Sequence, residues 1–430
     1  MNLSISVDKS NKIKANSGIY FLENIVRKKK LKSFLDDQLP DRHPQARYAD
    51  SELILGLSYS FLCGGQYLED VNWVKQQLEY DRFLSIPSSD TIQYRIKQLF
   101  SPDQIITSHT GTTHRFNCNN LLNDVLMRLA VRLNPDWKRE DPVLDYDNTI
   151  VETGKPDSTF TYKKKYGYMP GVLFVNGLPV YVEGRNGNSP SRYLMHETLE
   201  RAWNKLIDCG VKARFIRIDG AAYQREVFKW LSQHPDLTYY IRANNQGLDI
   251  LQDKQWENIQ VAGNPAQAQS MPYSGPGQED SNLPCRLVVY RIPNKSPQSD
   301  LFTGNYTYQF LLTNDMENDL EHIIDFYNRR GGDCERSIDI LKHDFNWNHL
   351  PFGSMALNTV YMIFAAMANV IFDWFKSMVS RYFPHIERST RIKRFILYFI
   401  NVPGKWIRTA RQYRLKIYST QPYNKLIQLE

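Results

Sequence analysis

A chain of 430 residues is too long for one small domain and long enough to bury a sizeable core, so two or three units are expected. Its composition, 42% hydrophobic and 23% charged, is that of folded chains and excludes wholesale disorder. The net charge of +7 is concentrated at one end: from Glu387 to Glu430 lie ten basic residues and two acidic ones, which suits a polyanionic partner.

Residues 18 to about 134 read mostly as helices, from apolar spacing in Ile19-Phe21-Leu22-Ile25, in Leu53-Leu55-Leu57-Phe61-Leu62 and in Leu122-Val125-Leu126-Leu129-Leu133. The basic run Arg27 to Lys32 within this region is either a solvated helix face or a contact for nucleic acid. Ile86-Pro87-Ser88-Ser89-Asp90-Thr91-Ile92 opens a capped helix through Leu99, as the second helix of a helix-turn-helix or as an ordinary helix.

The texture changes at Asp141. Pro142 to Asp147 is a short apolar strand ending in acids, and Gly171–Val175 and Leu178–Val182 form an antiparallel hairpin about the turn Asn176-Gly177. A helix from Ser191 to Cys209, the strand Ala213–Asp219, a helix from Tyr223 to Leu231 and the strand Thr238–Arg242 follow, the order of a mixed α/β domain. Residues 244–305 are polar and turn-rich and read as a β-rich insertion. The strand Tyr306–Thr313 then precedes a helix from Leu320 through Lys342. Met355 to Phe375 is apolar but interrupted by Asn358, Asn369 and Asp373, so a buried core helix is expected rather than a membrane span. Five scattered cysteines without a CxxC pair speak against a disulfide framework and a zinc ribbon, and no apolar stretch marks the N-terminus as a secretory signal.

Asp147 and Asp219 each close an apolar strand, where an α/β sheet presents ligands. Carboxylates converging there suit hard divalent cations and the phosphodiester chemistry that paired cations support, given a third acid. Asp145 shares the strand face of Asp147 one pleat back.

The third acid is sought in Phe326 to Lys342. This segment resembles the third-acid helix of insertion-sequence transposases of the DDE class, whose signature runs Tyr, two residues, Arg, three residues, Glu, six residues, Lys. Tyr327 and Arg330 match the first spacing, Glu335 and Lys342 the last. Four residues rather than three separate Arg330 from Glu335, and Gly331-Gly332 is expected to absorb the extra one in a loop. Asp147-Asn148-Thr149 resembles the strand-end Asp, any residue, Thr pattern of the same enzymes. Thr161-Tyr162-Lys163, Gly167 to Gly171, Arg185 to Asn188, Arg217 to Gly220 and Tyr240 to Asn244 resemble the insertion-sequence-1380 branch, the likeness running from about residue 85 to 375.

The resemblance implies an α/β fold with an RNase H-like mixed-sheet core in two parts, 135–243 and 306–380, interrupted by the β-rich insertion 244–305. It also implies a helical DNA-binding region at 1–134 and a helical basic region at 381–430. It assigns Asp147, Asp219 and Glu335 to catalysis and to two Mg²⁺ or Mn²⁺ ions, and Tyr327, Arg330, Lys342 and Arg242 to DNA contact. Trp256 becomes a candidate for stacking on a flipped base, beside the alternative of a packed core tryptophan. The implied activity is cut-and-paste transposition on double-stranded DNA, both terminal repeats and target, by a homodimer in the bacterial cytoplasm and associated with the nucleoid, with no membrane involved. A nuclease that does not join strands and an inactive DNA-binding derivative are the alternatives.

Overall fold

The structure, a computed structural model, describes residues 3–7, 9–78, 83–243, 251, 256–276, 284–294, 306–409 and 412–427. Two compact units emerge, one from Met1–Ser101, Asn119–Leu129 and Ile340–Glu430, the other from Pro102–Cys118 and Ala130–Asp339.

The first unit is mainly helical. Its core helix, Met355–Val379, is long and apolar enough to cross a membrane, but 94% of its most apolar 18-residue window is buried against protein. The polar interruption at Asn358 is satisfied locally: its amide accepts from the Phe352 N–H at 3.0 Å and donates to the Phe352 carbonyl at 2.9 Å. The helix Ser89–Leu99 starts as expected, with Ser88 Oγ accepting from the Thr91 N–H at 3.3 Å. The preceding described helix is Asp70–Leu78, and residues 79–82 lie outside the described residues. The basic C-terminal region is helical from Ile392 to Ile400 and again, briefly, at Asn424–Ile427. Between the two, Gly404–Thr409 and Gln412–Ile417 pair as antiparallel strands. The two-residue alternation there, with Trp406 buried between exposed Lys405 and Ile407, is a strand period rather than a helical one.

The second unit is built on β1 (Val143–Asn148), β2 (Gly171–Val175), β3 (Leu178–Arg185), α1 (Met195–Asp208), β4 (Phe215–Ile218), α2 (Arg225–Ser232), β5 (Thr238–Arg242), β6 (Glu257–Val261), β7 (Asn264–Pro272), β8 (Arg286–Pro293), β9 (Tyr306–Thr313) and α3 (Leu320–His343). The turn between β2 and β3 has positive φ at both Asn176 (48°) and Gly177 (80°), the conformation that an Asn-Gly hairpin turn supplies at little cost. The strand order β3-β2-β1-β4-β5, with β1 to β3 antiparallel and β4 and β5 parallel to β1, is the mixed sheet of an RNase H-like core. Strands β6 to β9 extend the same sheet from the outer edge of β5, with β9 antiparallel to it. At the opposite edge, Thr113–Asn117 pairs with β3 and Gln104–Thr107 with Thr113–Asn117, so this stretch is a hairpin where helix was expected. The opening turns of α3, at Leu320, Ile323 and Ile324, pack with Tyr240 of β5 and with Val261, Val288 and Leu311 of the extension. That apolar contact fixes where the helix enters the site.

Candidate active site

Register brings the first two acids together. Tyr146 of β1, Ile218 of β4 and Ile241 of β5 lie side by side, so the residues that follow them, Asp147, Asp219 and Arg242, stand at the carboxyl ends of three adjacent parallel strands. Such neighbours are about 4.8 Å apart along the sheet and face the same way. One pleat back, Asp145 and Arg217 face each other in register. They close a bidentate ion pair of 2.8 and 2.7 Å, buried on both sides.

Helix α3 crosses these strand ends. Tyr327 Oη donates to the Ile218 carbonyl at 3.4 Å, and Arg330 Nη2 donates to the Tyr146 carbonyl at 3.0 Å and pairs with Asp147 Oδ2 at 3.2 Å. Arg217 reaches back to the Phe326 carbonyl at 2.8 Å and to Asp333 Oδ2 at 3.0 Å. Ser337 Oγ, on the same stripe of the helix, donates to the Gly177 carbonyl at 2.6 Å. The buried stripe therefore runs through Arg330, Cys334 and Ser337, three or four residues apart.

The electrostatics follow from that packing. Burial pushes the Asp147 carboxyl up to about 6; Arg330 pulls it down and Asp219 raises it again. Burial pulls Arg330 down, but Asp147, Cys334, Tyr327 and Asp219 together more than offset this and hold it above its usual range. Tyr327, desolvated among Arg330, Asp219 and Arg242, is pushed up to about 12. Arg330 is 7% exposed, and its Nε is a buried donor with no acceptor among the described residues.

The third acid is placed differently from the first two. Gly331 and Gly332 form no loop, because α3 is continuous from Leu320 to His343. Counting four residues from Arg330 along an unbroken helix leads to Cys334, not Glu335. It is Cys334 that is fully buried, with Sγ 3.9 Å from Asp147 Oδ2. Glu335 lies about 100° further round the helix. It is exposed, and its side chain makes no hydrogen bond or ion pair among the described residues. Lys342 lies two turns beyond Glu335, close to the end of the helix.

Of the other candidates, Arg242 and Tyr327 belong to the cluster, whereas Trp256 sits on the sheet extension. Arg291 stacks on Trp256 at 4.1 Å and on Tyr306 at 4.4 Å, covering one face of the indole. Arg217, Asp333 and Cys334 were given no role from the sequence, although a helical count started at Arg330 rather than Lys342 points to Cys334.

Two carboxylates at adjacent strand ends are half of a site for divalent ions. Among the described residues no group of three His, Cys, Asp or Glu side chains is placed to hold one. A guanidinium already contacts Asp147, and the third position carries a thiol, a poor partner for hard cations. In this winding of α3 the donor set does not fit such an ion pair.

No curated protein matches the sequence. Among solved structures, a piggyBac transposase synaptic complex with hairpin DNA is similar over 89% of this chain and 79% of its own, at 13% identity and a TM-score of 0.39. A family model described as transposase DDE domain group 1 matches residues 3–429. The chain belongs to that family of DDE transposases.

Proposed function

We propose that this transposase moves an insertion sequence by cut-and-paste, cleaving DNA at the terminal repeats and joining the freed 3′-hydroxyl to target DNA, as a homodimer on the paired ends. The observation that carries the reading is the convergence of Asp147 and Asp219 at adjacent parallel strand ends, with Arg330, Tyr327 and Arg242 around them. A carboxylate desolvated beside a second one, as Asp147 is beside Asp219, costs folding energy, and such groups cluster where chemistry is done. The flanking guanidinium groups and phenol offer donors to phosphate oxygens.

Divalent ions, Mg²⁺ or Mn²⁺, supply activation of the attacking oxygen and stabilisation of the leaving one in such chemistry. Asp147 and Asp219 are two of their proposed ligands and Glu335 the third. For Glu335 to take its place, the turn at Gly331-Gly332 must accommodate one more residue, as in a π-bulge, so that Glu335 replaces Cys334 beside Asp147. A carboxylate there also gives the orphaned Arg330 Nε an acceptor.

The guanidinium on Asp147 and the thiol in the third position favour a second reading, a DNA-binding derivative without catalysis. Incubation of the purified protein with DNA carrying the element's ends, Mg²⁺ and a target plasmid separates the readings. Strand cleavage and joined products are expected from the parent. Folded Asp147→Asn, Asp219→Asn and Glu335→Gln proteins are each expected to lose at least about 10²–10³-fold in rate. Cleavage at the parental rate by the aspartate variants sinks the proposal. Cleavage without joined product makes the protein a nuclease, and DNA binding without cleavage by the parent favours the inactive derivative.

A further inference from the structure

The connection from β1 to β2 leaves the sheet two residues after Asp147 and returns at Gly171. Between them, Val151–Glu152, Thr159–Phe160 and Tyr166–Tyr168 form a small three-stranded sheet of their own. Its base is firmly built. Tyr168 is fully buried and donates to Asp157, a Cβ on Gly167 would strike the Val151 carbonyl, and Asn188 N–H donates to Thr159 Oγ1 at 3.0 Å.

The tip has the opposite character. Thr161 N–H donates to the Lys165 carbonyl at 2.8 Å and Lys164 N–H to the Thr161 carbonyl at 2.9 Å, closing a tight turn with Lys164 at a φ of 58°. That turn presents Phe160, Tyr162 and Tyr166 at 52%, 71% and 61% exposure, together with Lys163, Lys164 and Lys165. Lys165 pairs with Glu152 at 2.8 Å, a pair exposed on both sides. Phe160 and Tyr166 meet edge to face across the strands at 5.4 Å, yet both rings and Tyr162 remain mostly in water, interleaved with three lysines. Rings and ammonium groups together match a partner that offers flat π-faces and negative charge at close spacing.

We propose that this finger, residues 160–166, grips an unpaired stretch of DNA next to the strand being cut, with Tyr162 and Tyr166 stacking on bases and Lys163 and Lys164 contacting the phosphates. The inference rests on the reading above that DNA is the substrate. An unpaired stretch is favoured over intact duplex because bases stacked in a helix offer no free faces to a ring, whereas lysines alone would serve a duplex. Attachment of the finger to the strand that carries Asp147 places it at the reacting end of the sheet.

The test uses the full chain and two labelled probes, a blunt duplex and the same duplex with an oligo(dT) flank carrying one 2-aminopurine. Tyr162→Ala/Tyr166→Ala is expected to weaken binding of the flanked probe about tenfold or more and to abolish 2-aminopurine quenching, while binding of the blunt duplex changes less than about twofold. Lys163→Ala/Lys164→Ala should weaken both probes and reduce the salt dependence by roughly two counterions. All four positions are exposed, so melting temperature serves as the folding control. Equal affinity of the tyrosine variant and the parent for the flanked probe overturns the proposal, as does an equal loss on both probes, which points to duplex backbone contact. A finger serving a protein partner would leave both probes unaffected in all variants, and that result also overturns it. Because the readout is binding, loss of this inference leaves the cleavage results for Asp147 and Asp219 standing.

Discussion

Two carboxylates of the same sheet, the fully buried Glu183 on β3 and the half-buried Asp147 on β1, have been treated in opposite ways. Glu183 is fully buried and accepts from Arg185 Nε at 3.0 Å, Thr198 Oγ1 at 2.9 Å and Arg201 Nη2 at 2.8 Å. Burial pushes its carboxyl up, yet Arg185 and Arg201 more than offset this and hold it below the usual range. Asp147 has one guanidinium, the Asn148 N–H, a thiol and a second carboxylate for neighbours, and is left well above its usual range. Arg201, like Arg330, leaves its Nε without a partner among the described residues, so the contrast lies in the acids and not in the arginines. A buried acid supplied with full compensation holds the fold together. One denied it is held in readiness for something else.

The contrast can be broken most forcefully at Glu183. Removing one partner of a buried ion network strands the others, and Glu183→Gln is expected to cost about 3–5 kcal/mol of stability, read as a large drop in denaturation midpoint. The molecules that remain folded should still bind DNA ends. A variant as stable as the parent would show that the network contributes little to the fold.

At Asp147 the sign reverses. Its carboxyl titrates near 6 in the folded chain against 3.8 in the unfolded one, so the folded state holds the proton more tightly. Stability therefore falls as pH rises through the window from about 4 to 6, and the full cost is present above it. Asp147→Asn removes that cost and keeps an acceptor for Arg330. The variant should be more stable than the parent at pH 8 by on the order of 1–2 kcal/mol, an advantage that vanishes near pH 4. Thermal melts of both proteins across pH 4–8 decide it, and a variant that is the less stable at every pH would refute the reading.

The strand ends were legible in the sequence because apolar runs closing in acids leave little choice of element, and parallel pairing then puts Asp147 and Asp219 side by side. The hairpin about Asn176-Gly177 was legible for the same reason, since that dipeptide supplies both positive φ angles. β6 and β7 were not, because alternation in Asn264–Pro272 is carried by alanine and glutamine and is too weak to stand out from loop. The face of α3 was ambiguous for a different reason. Counted back from Lys342 it presents Glu335, and counted forward from Arg330 it presents Cys334. The extra residue between the two anchors has no mark in the sequence that says where it is absorbed.

The smallest expected effect addresses that ambiguity most directly. Gly331 and Gly332 lie inside a helix with ordinary negative φ, and a Cβ on either would meet nothing within 4 Å. Neither position needs glycine for space or for backbone geometry, and each glycine in a helix interior costs about 1 kcal/mol relative to alanine. Gly332→Ala should therefore stabilise the protein by up to about 1 kcal/mol, a shift of a few degrees in melting temperature. If the pair serves only as helix, cleavage of DNA ends will be unchanged. If the pair is where α3 takes in its extra residue, alanine stiffens the winding that keeps Cys334 against Asp147, and the Gly331→Ala/Gly332→Ala protein should be more stable yet slower in cleavage. Alkylation of Cys334, followed by mass mapping, supplies a readout independent of turnover. Saturating Mn²⁺ should expose the thiol in the parent as Glu335 replaces it, and should expose it less in the double alanine variant. A thiol equally protected with and without Mn²⁺ in the parent would leave α3 with one winding, and Glu335 outside the site.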